Sequence, residues 1–195
     1  MPYIIRTSHI LLLPLLLAGV LLAGCDTTEP EDDAGEGELI TRVVLSLTEA
    51  GASTRTITVT AEDSNGDTVI DNIQTLTLTA GQTYTGSVAL YNDLEDPPEN
   101  ITEEVEEEDY AHQFQYTVTG ATGVSVSDRD LDRNDLPLGL TFTVTVADDA
   151  TASGDAVLRV VLRHYDEAAP DNPTPKQNDA GETDVQVDFP LVITN

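Results

Sequence analysis

The stretch L-T-F-T-V-T-V, residues 140–146, places a large apolar residue at every second position, with a threonine between each pair. A period of two is typical of a β-strand that has one face in a core and the other towards solvent. Threonine suits the outward positions because its branched side chain packs well on a pleated surface. The stretch therefore predicts a half-buried β-strand.

The same alternation recurs along most of the chain, in short runs separated by turn residues such as Asn65-Gly66. About nine short strands at regular spacing predict an all-β domain, an antiparallel immunoglobulin-like β-sandwich. The candidate strands are residues 39–47, 55–61, 74–79, 84–91, 113–119, 124–127, 140–146, 156–164 and 184–194.

One segment, residues 93–110, lacks the strand pattern and is rich in glutamate. Asn100 followed by Glu103 matches the rule for a helix start, and carboxylates in the first turn suit the positive end of the helix dipole. We expect one short acidic helix near residues 101–111, inserted between two strands.

The N-terminal segment is predicted to be a targeting signal and not part of the folded domain. An apolar run leads to L-A-G-C at residues 22–25, which includes the only cysteine. This segment resembles the signal peptide of bacterial lipoproteins, which implies cleavage after residue 24 and acylation of Cys25. The alternative is an uncleaved membrane helix, although the run is short for a span.

Three regions follow from this pattern. Residues 1–24 are the predicted signal peptide, and residues 25–38 are the acylated cysteine with a flexible acidic tether. Residues 39–195 form a single β-sandwich domain. The protein is then held in the cell envelope by its acyl chains, on the inner or the outer membrane, outside the cytoplasm.

The charge is strongly negative: 36 Asp and Glu residues against 8 Lys and Arg residues give a net charge of −28. Such a surface repels nucleic acid and anionic lipid head groups, so nucleic acid is excluded as a partner. The composition resembles the acidic surfaces of proteins from salt-loving organisms, in which carboxylates serve solubility. Individual acidic residues are therefore weak indicators of a ligand site.

A candidate metal site lies on the predicted helix. Glu104, Glu108 and His112 follow one another at four-residue steps and would share one helix face, with Glu107 beside them. His164 ends a predicted strand on its core side. Mixed imidazole and carboxylate ligands suit zinc, copper or iron. The alternative is a solvated acidic face and a histidine that is only hydrogen-bonded.

A weaker candidate is a calcium loop in residues 128–135, where oxygen-bearing side chains recur at every second position. It lacks the glycine and the final glutamate of an EF-hand loop, and a plain hairpin turn explains it equally. Its candidate ligands are Asp128, Asp130, Asp132 and Asn134.

Catalytic motifs are absent from the sequence, which contains no phosphate-binding loop, nucleophile elbow or metalloprotease helix. We therefore predict a protein that is not an enzyme. A hydrolase that uses Glu108 and His112 around a metal is the remaining enzymatic alternative.

Four blocks carry a family resemblance: N-I-T-E-E-V-E-E-E at residues 100–108, H-Q-F at 112–114, L-R-H at 162–164 and A-G-E-T-D-V at 180–185. Together they resemble small acidic envelope lipoproteins of Bacteroidota and related bacteria. The resemblance implies a grouping rather than an activity. It also implies that a site would combine the acidic helix and His112 with His164, Glu182 and Asp184.

Two functions from different classes follow. The first is a lipid-anchored binding module that captures a divalent metal, with an outer-membrane transporter or another envelope protein as its partner. The second is a structural or adhesive envelope protein without a ligand, whose acidic surface serves solubility in salt.

Overall fold

The computed structural model describes residues 38–51, 54–67, 69–165, 168–172, 176 and 181–195, and these residues form an all-β fold with one short helix. The predicted all-β class is confirmed. Residues 1–37, which contain the predicted signal peptide, Cys25 and most of the tether, lie outside the described residues. The elements are β1 (Arg42–Glu49), β2 (Thr56–Glu62), β3 (Asn72–Ile73), β4 (Leu76–Thr79), β5 (Thr83–Tyr91), α1 (Ile101–Glu107), β6 (His112–Ser127), β7 (Thr141–His164) and β8 (Glu182–Thr194).

The strands form one curled sheet in the order β3-β2-β1-β5-β7-β8-β4, with β6 paired to the other edge of β7. The 24-residue strand β7 holds the sheet together. Its first part pairs with β5 and its last part with β8, while β6 follows it along most of its length. The end of β7 is therefore flanked by β6 and β8, and this is where the candidate site lies.

Two strands are longer than predicted, and not all strand pairs are antiparallel. Residues 113–119 and 124–127 are both parts of β6, and residues 140–146 and 156–164 fall largely within β7. The described residues form eight strands rather than about nine, and β4 pairs with β8 in parallel. The sheet is therefore mixed, and the predicted antiparallel immunoglobulin-like sandwich of about nine strands is not confirmed.

Two glycines explain why the sequence suggested a break in β6. Gly120 and Gly123 have φ angles of +70° and +74°, which glycine adopts at little steric cost. Each lies at a register shift in the β6–β7 ladder rather than at a chain reversal. A bulge and a tight turn use the same residue type, so the sequence pattern does not separate them.

Alternate residues of each strand enclose a single core. In β7, Phe142, Val144 and Val146 are buried, whereas the threonines between them face outward as predicted. Gly86 lies opposite Phe142 in the register, and a Cβ atom there would collide with the phenyl ring. Burial of a side chain such as Phe142 contributes about 2–3 kcal/mol to stability.

The acidic helix is shorter than expected, because α1 ends at Glu107 and not near residue 111. Its last turn contains no basic residue, and carboxylates are unfavourable at the negative end of a helix dipole. The chain instead leaves the helix after Glu107. Cationic side chains from distant parts of the sequence donate hydrogen bonds to the carbonyl oxygens at and after the end of the helix. Arg133 donates to the carbonyl of Glu107 at 2.6 Å, and Lys176 donates to that of Asp109 at 2.9 Å.

The start of the helix also differs from the prediction in detail. Asn100 does precede the first helical residue, but its side chain makes no hydrogen bond to a helix N–H. Its amide nitrogen donates instead to the Glu103 carboxylate at 2.8 Å. The helix is held by burial of Ile101 and Val105 and by the Thr102 hydroxyl, which accepts from the Leu90 N–H at 2.8 Å.

Within the described part of the chain, no helix is long and apolar enough to cross a membrane.

Candidate functional site

Two histidines and two carboxylates meet at the end of β7. One nitrogen or oxygen atom from each side chain lies within 4.8 Å of the corresponding atom of every other member. This set is called the His–carboxylate cluster below. Its members are Glu38, His112, His164 and Asp184.

The strand register brings the two histidines together. His112 begins β6 and lies directly opposite His164, the last residue of β7. Each histidine lies on the buried face of its strand. In β6 this face continues with Phe114, and in β7 it contains Leu162 two residues earlier. The ring centroids are 4.5 Å apart, and His112 and His164 are only 0% and 3% exposed. Strand pairing, and not the acidic helix, brings the two histidines together.

A bulge in β8 turns Asp184 towards the histidines. Leu162 pairs with Val185 and Arg163 pairs with Thr183, so Asp184 is the extra residue at this register shift. Without the bulge, strict alternation would direct Thr183 rather than Asp184 to the buried side, together with Val185. The side chain of Asp184 is 4% exposed, and its Oδ1 lies 4.0 Å from His164 Nδ1.

Glu38 reaches the cluster from the chain segment that precedes β1. Its Oε1 lies 2.9 Å from His112 Nε2, and its side chain is 9% exposed. Glu38 is the last residue of the predicted tether and is not among the predicted ligands. The histidine that it contacts is 74 positions further along the chain, and no local pattern indicates such a contact.

The backbone fixes the orientation of the His112 ring. Nδ1 lies 3.1 Å from the carbonyl oxygen of Glu108. Because a carbonyl oxygen only accepts, Nδ1 must carry a hydrogen and donate it. Nε2 then faces the other members of the cluster. A second hydrogen bond of this kind is how metal-binding histidines are commonly held in one tautomer.

Burial and charge act against each other on the Glu38–His112 pair. Burial lowers the pKa of His112, but the hydrogen bond and negative charge of Glu38 raise it by more, so the net pKa lies above its ordinary value. Burial raises the pKa of Glu38, but the contact with His112 outweighs it and the net pKa lies below its ordinary value. Without a metal, these two pKa shifts favour a protonated His112 beside an ionised Glu38.

Two buried polar atoms of the cluster, Nε2 of His164 and Oε2 of Glu38, have no hydrogen-bond partner among the described residues. A buried polar atom without a partner costs about 1–3 kcal/mol of stability. The cluster therefore contains ligand atoms that the protein itself leaves unsatisfied.

Several predicted ligands lie outside the cluster. Glu104 and Glu107 are exposed on α1, and Glu108 contributes its carbonyl oxygen rather than its carboxylate to His112. The four-residue spacing fails because the helix ends before His112. Glu182 lies opposite His164 in the ladder but is exposed, because the neighbouring bulge directs Asp184 inward instead.

The four calcium candidates make hydrogen bonds within and beside their own turn. The Asp130 carboxylate accepts from the N–H groups of Gly139 and Thr141 at 2.8 and 3.0 Å. That of Asp132 accepts from two backbone N–H groups and pairs with Lys176 at 2.7 Å. Asp128 accepts from the Ser127 hydroxyl, and the backbone of Asn134 donates to Asp132. These hydrogen bonds stabilise the turn.

Comparison of the chain with protein-family models, with curated proteins and with solved structures finds no match. The resemblance to Bacteroidota envelope lipoproteins therefore stays a prediction.

Proposed function

We propose that this protein binds one divalent transition-metal ion in the His–carboxylate cluster and presents it at the cell envelope. The observation that carries the proposal is the meeting of two buried histidines and two carboxylates, with one donor atom of each within 4.8 Å of the others. Four such donors are enough for a closed tetrahedral site.

The unsatisfied atoms support a bound cation. Nε2 of His164 and Oε2 of Glu38 are buried and find no hydrogen-bond partner in the described part of the chain, and an imidazole nitrogen and a carboxylate oxygen are both good metal ligands. A divalent ion would satisfy both atoms and offset the charges of the two carboxylates. The ring orientation imposed on His112 by the Glu108 carbonyl is consistent with this role.

The donor set narrows the choice of ion. Two imidazoles and two carboxylates suit zinc, iron(II) and copper(II), whereas calcium prefers six to eight oxygen ligands and copper(I) prefers thiolates or thioethers. We therefore propose zinc, copper or iron. The closed arrangement of four protein ligands also favours binding over catalysis, since catalytic zinc sites keep one position open.

The location in this proposal rests on the sequence. Acylation of Cys25 would anchor the domain to a membrane, and the acidic tether would carry it away from the bilayer. A natural partner is then an outer-membrane transporter or another envelope protein that receives the metal.

The test is thermal unfolding of the full chain in detergent, first treated with a chelator that is then removed by exchange into metal-free buffer. Zinc, copper, iron, manganese and calcium are added singly in high salt, which screens weak binding to the acidic surface. One transition metal should raise the melting temperature at micromolar concentration, and calcium should not. Glu182→Ala, which removes an exposed carboxylate next to the site, is the matched control and should respond as the wild type does.

Equal responses to all five ions, or no response to any, would contradict metal capture. The structural or adhesive function would then be favoured, with the acidic residues serving solubility.

A further inference from the structure

We propose that Glu38 is the exchangeable ligand of this site, and that the metal enters and leaves when residues 38 and 39 move aside. This inference rests on the proposed function and adds how the site is loaded and emptied. It makes these two residues the moving part and leaves the sheet unchanged.

Three of the four ligands are fixed by the sheet. His112, His164 and Asp184 lie on three neighbouring strands, in or beside ladders that pair β6 with β7 and β7 with β8. Displacing any of them outward would break strand hydrogen bonds that stabilise the core. Their side chains are also almost fully enclosed, with exposed fractions of 0%, 4% and 4%.

Glu38 has no such support. Among the described residues, the first backbone hydrogen bond in the chain is from Thr41 N to Tyr91 O, at 3.0 Å. Ile40 is buried and anchors the start of β1, whereas Leu39 is 38% exposed. Residues 38 and 39 can therefore swing away from the cluster without breaking a strand hydrogen bond.

Other parts of the described chain occupy two sides of the cluster. The Glu108 carbonyl oxygen lies 3.1 Å from Nδ1 of His112. Next to His164 in the chain, the buried ring of Tyr165 packs so closely on Gly181 that a Cβ there would lie 2.9 Å from a ring carbon. Among the described residues of the cluster, Glu38 has the most exposed side chain, at 9% against 0%, 4% and 4% for the others.

The spacing of the ligands also requires a movement. Tetrahedral zinc with bonds of about 2.0–2.1 Å holds its ligand atoms about 3.3 Å apart, whereas the atoms of the cluster spread over as much as 4.8 Å. At least one side chain must move inward when the metal binds.

Replacement of Glu38 by a ligand of another protein would allow the metal to be transferred directly. A carboxylate or imidazole of a receiving protein would take the coordination position that Glu38 vacates, while the three strand ligands still hold the ion. The metal would then pass to the partner without being released into water.

The experiment is stopped-flow exchange with Zn²⁺ on the full chain in detergent. Association is measured on the apo protein, and dissociation is measured on the loaded protein mixed with excess EDTA. Glu38→Ala should speed dissociation on the order of 10- to 100-fold and should also speed association, because the covering segment no longer blocks entry. Asp184→Ala should speed dissociation alone, and Glu182→Ala should change neither rate.

Hydrogen exchange gives a second readout. Zn²⁺ should slow amide exchange at residues 39–41 in the wild type but not in Glu38→Ala. If Glu38→Ala associates at the wild-type rate, or if Asp184→Ala accelerates association equally, Glu38 is not the gate. Failure of the wild type to bind any ion of the panel would overturn the proposed function as well, so the two failures are distinguishable.

Discussion

The two histidines of the cluster should respond differently to replacement by alanine. Both variants should lose the stabilisation by metal, but the apo protein should be destabilised more by His112→Ala than by His164→Ala. The difference arises because His112 is paired with a carboxylate, whereas Nε2 of His164 has no partner.

The expected magnitudes follow from these contacts. His112→Ala breaks a buried ion pair, which costs about 3 kcal/mol at the lower end of the usual range, since Glu38 lies on a segment that can turn towards water. His164→Ala leaves a small cavity but removes a buried unsatisfied nitrogen, and the two effects partly cancel, leaving a loss of about 1 kcal/mol. In a domain of this size, 1 kcal/mol corresponds to a shift in melting temperature of about 2–4 °C.

The loss of the metal effect should be complete in both variants. A ligand present at 100 times its dissociation constant stabilises the folded state by about 2.7 kcal/mol. Calorimetry of the full chain in detergent, with chelator and then with the ion selected from the panel, measures both quantities. Equal apo stability of the two variants, or a wild-type response to metal in either of them, would refute this account of the site.

Three further outcomes are expected. The Glu38–His112 ion pair should stabilise the apo protein most between about pH 4.5 and 6.5, the ordinary pKa values of the two groups. Its contribution is lost as the pH rises through the raised pKa of His112, and as it falls through the lowered pKa of Glu38. Stabilisation by metal should instead grow as the pH rises, because the ion competes with the proton on Nε2; unfolding at several pH values with and without metal tests both trends, and parallel curves would contradict them. Deletion of Asp184 should remove the bulge and abolish metal binding in calorimetric titration while β8 still pairs with β7; a deletion variant that still binds would show that the bulge is not needed. Lys176→Met should lower the free energy of unfolding by about 2 kcal/mol, because it leaves the Asp132 carboxylate without its cation. This value lies between those for exposed and for buried ion pairs. Lys176→Met combined with Asp132→Asn should recover part of that loss in chemical denaturation, and a double variant less stable than the single one would contradict the explanation.

The positions of most strands were predictable because a half-buried strand has a period of two. The pattern at residues 140–146 has its apolar residues in the core and its threonines outward, as expected. Pairing was less predictable, because the alternation says which face a residue occupies but not which strand lies beside it. The parallel contact between β4 and β8 therefore left no local signal.

The site was predictable where it depends on strand ends and not where it depends on irregular backbone. His112 and His164 were both singled out, and each closes the buried face of its strand. The acidic helix misled the choice of carboxylates, because its ending before His112 is set by contacts with the distant Arg133 and Lys176.

The four members of the cluster come from the first described residue, from the start of β6, from the end of β7 and from β8. A metal bound there would tie the N-terminal segment to the last strand of the sheet. No internal disulfide can do so, since the chain contains one cysteine. The two kinds of link differ in their control: a disulfide holds at any metal concentration, whereas a metal link weakens as the free ion becomes scarce. If the ion is captured as proposed, residues 38–41 would be held to the domain by the metal when it is plentiful and by the Glu38–His112 pair alone when it is scarce, so the strength of this attachment would follow the supply of the ion.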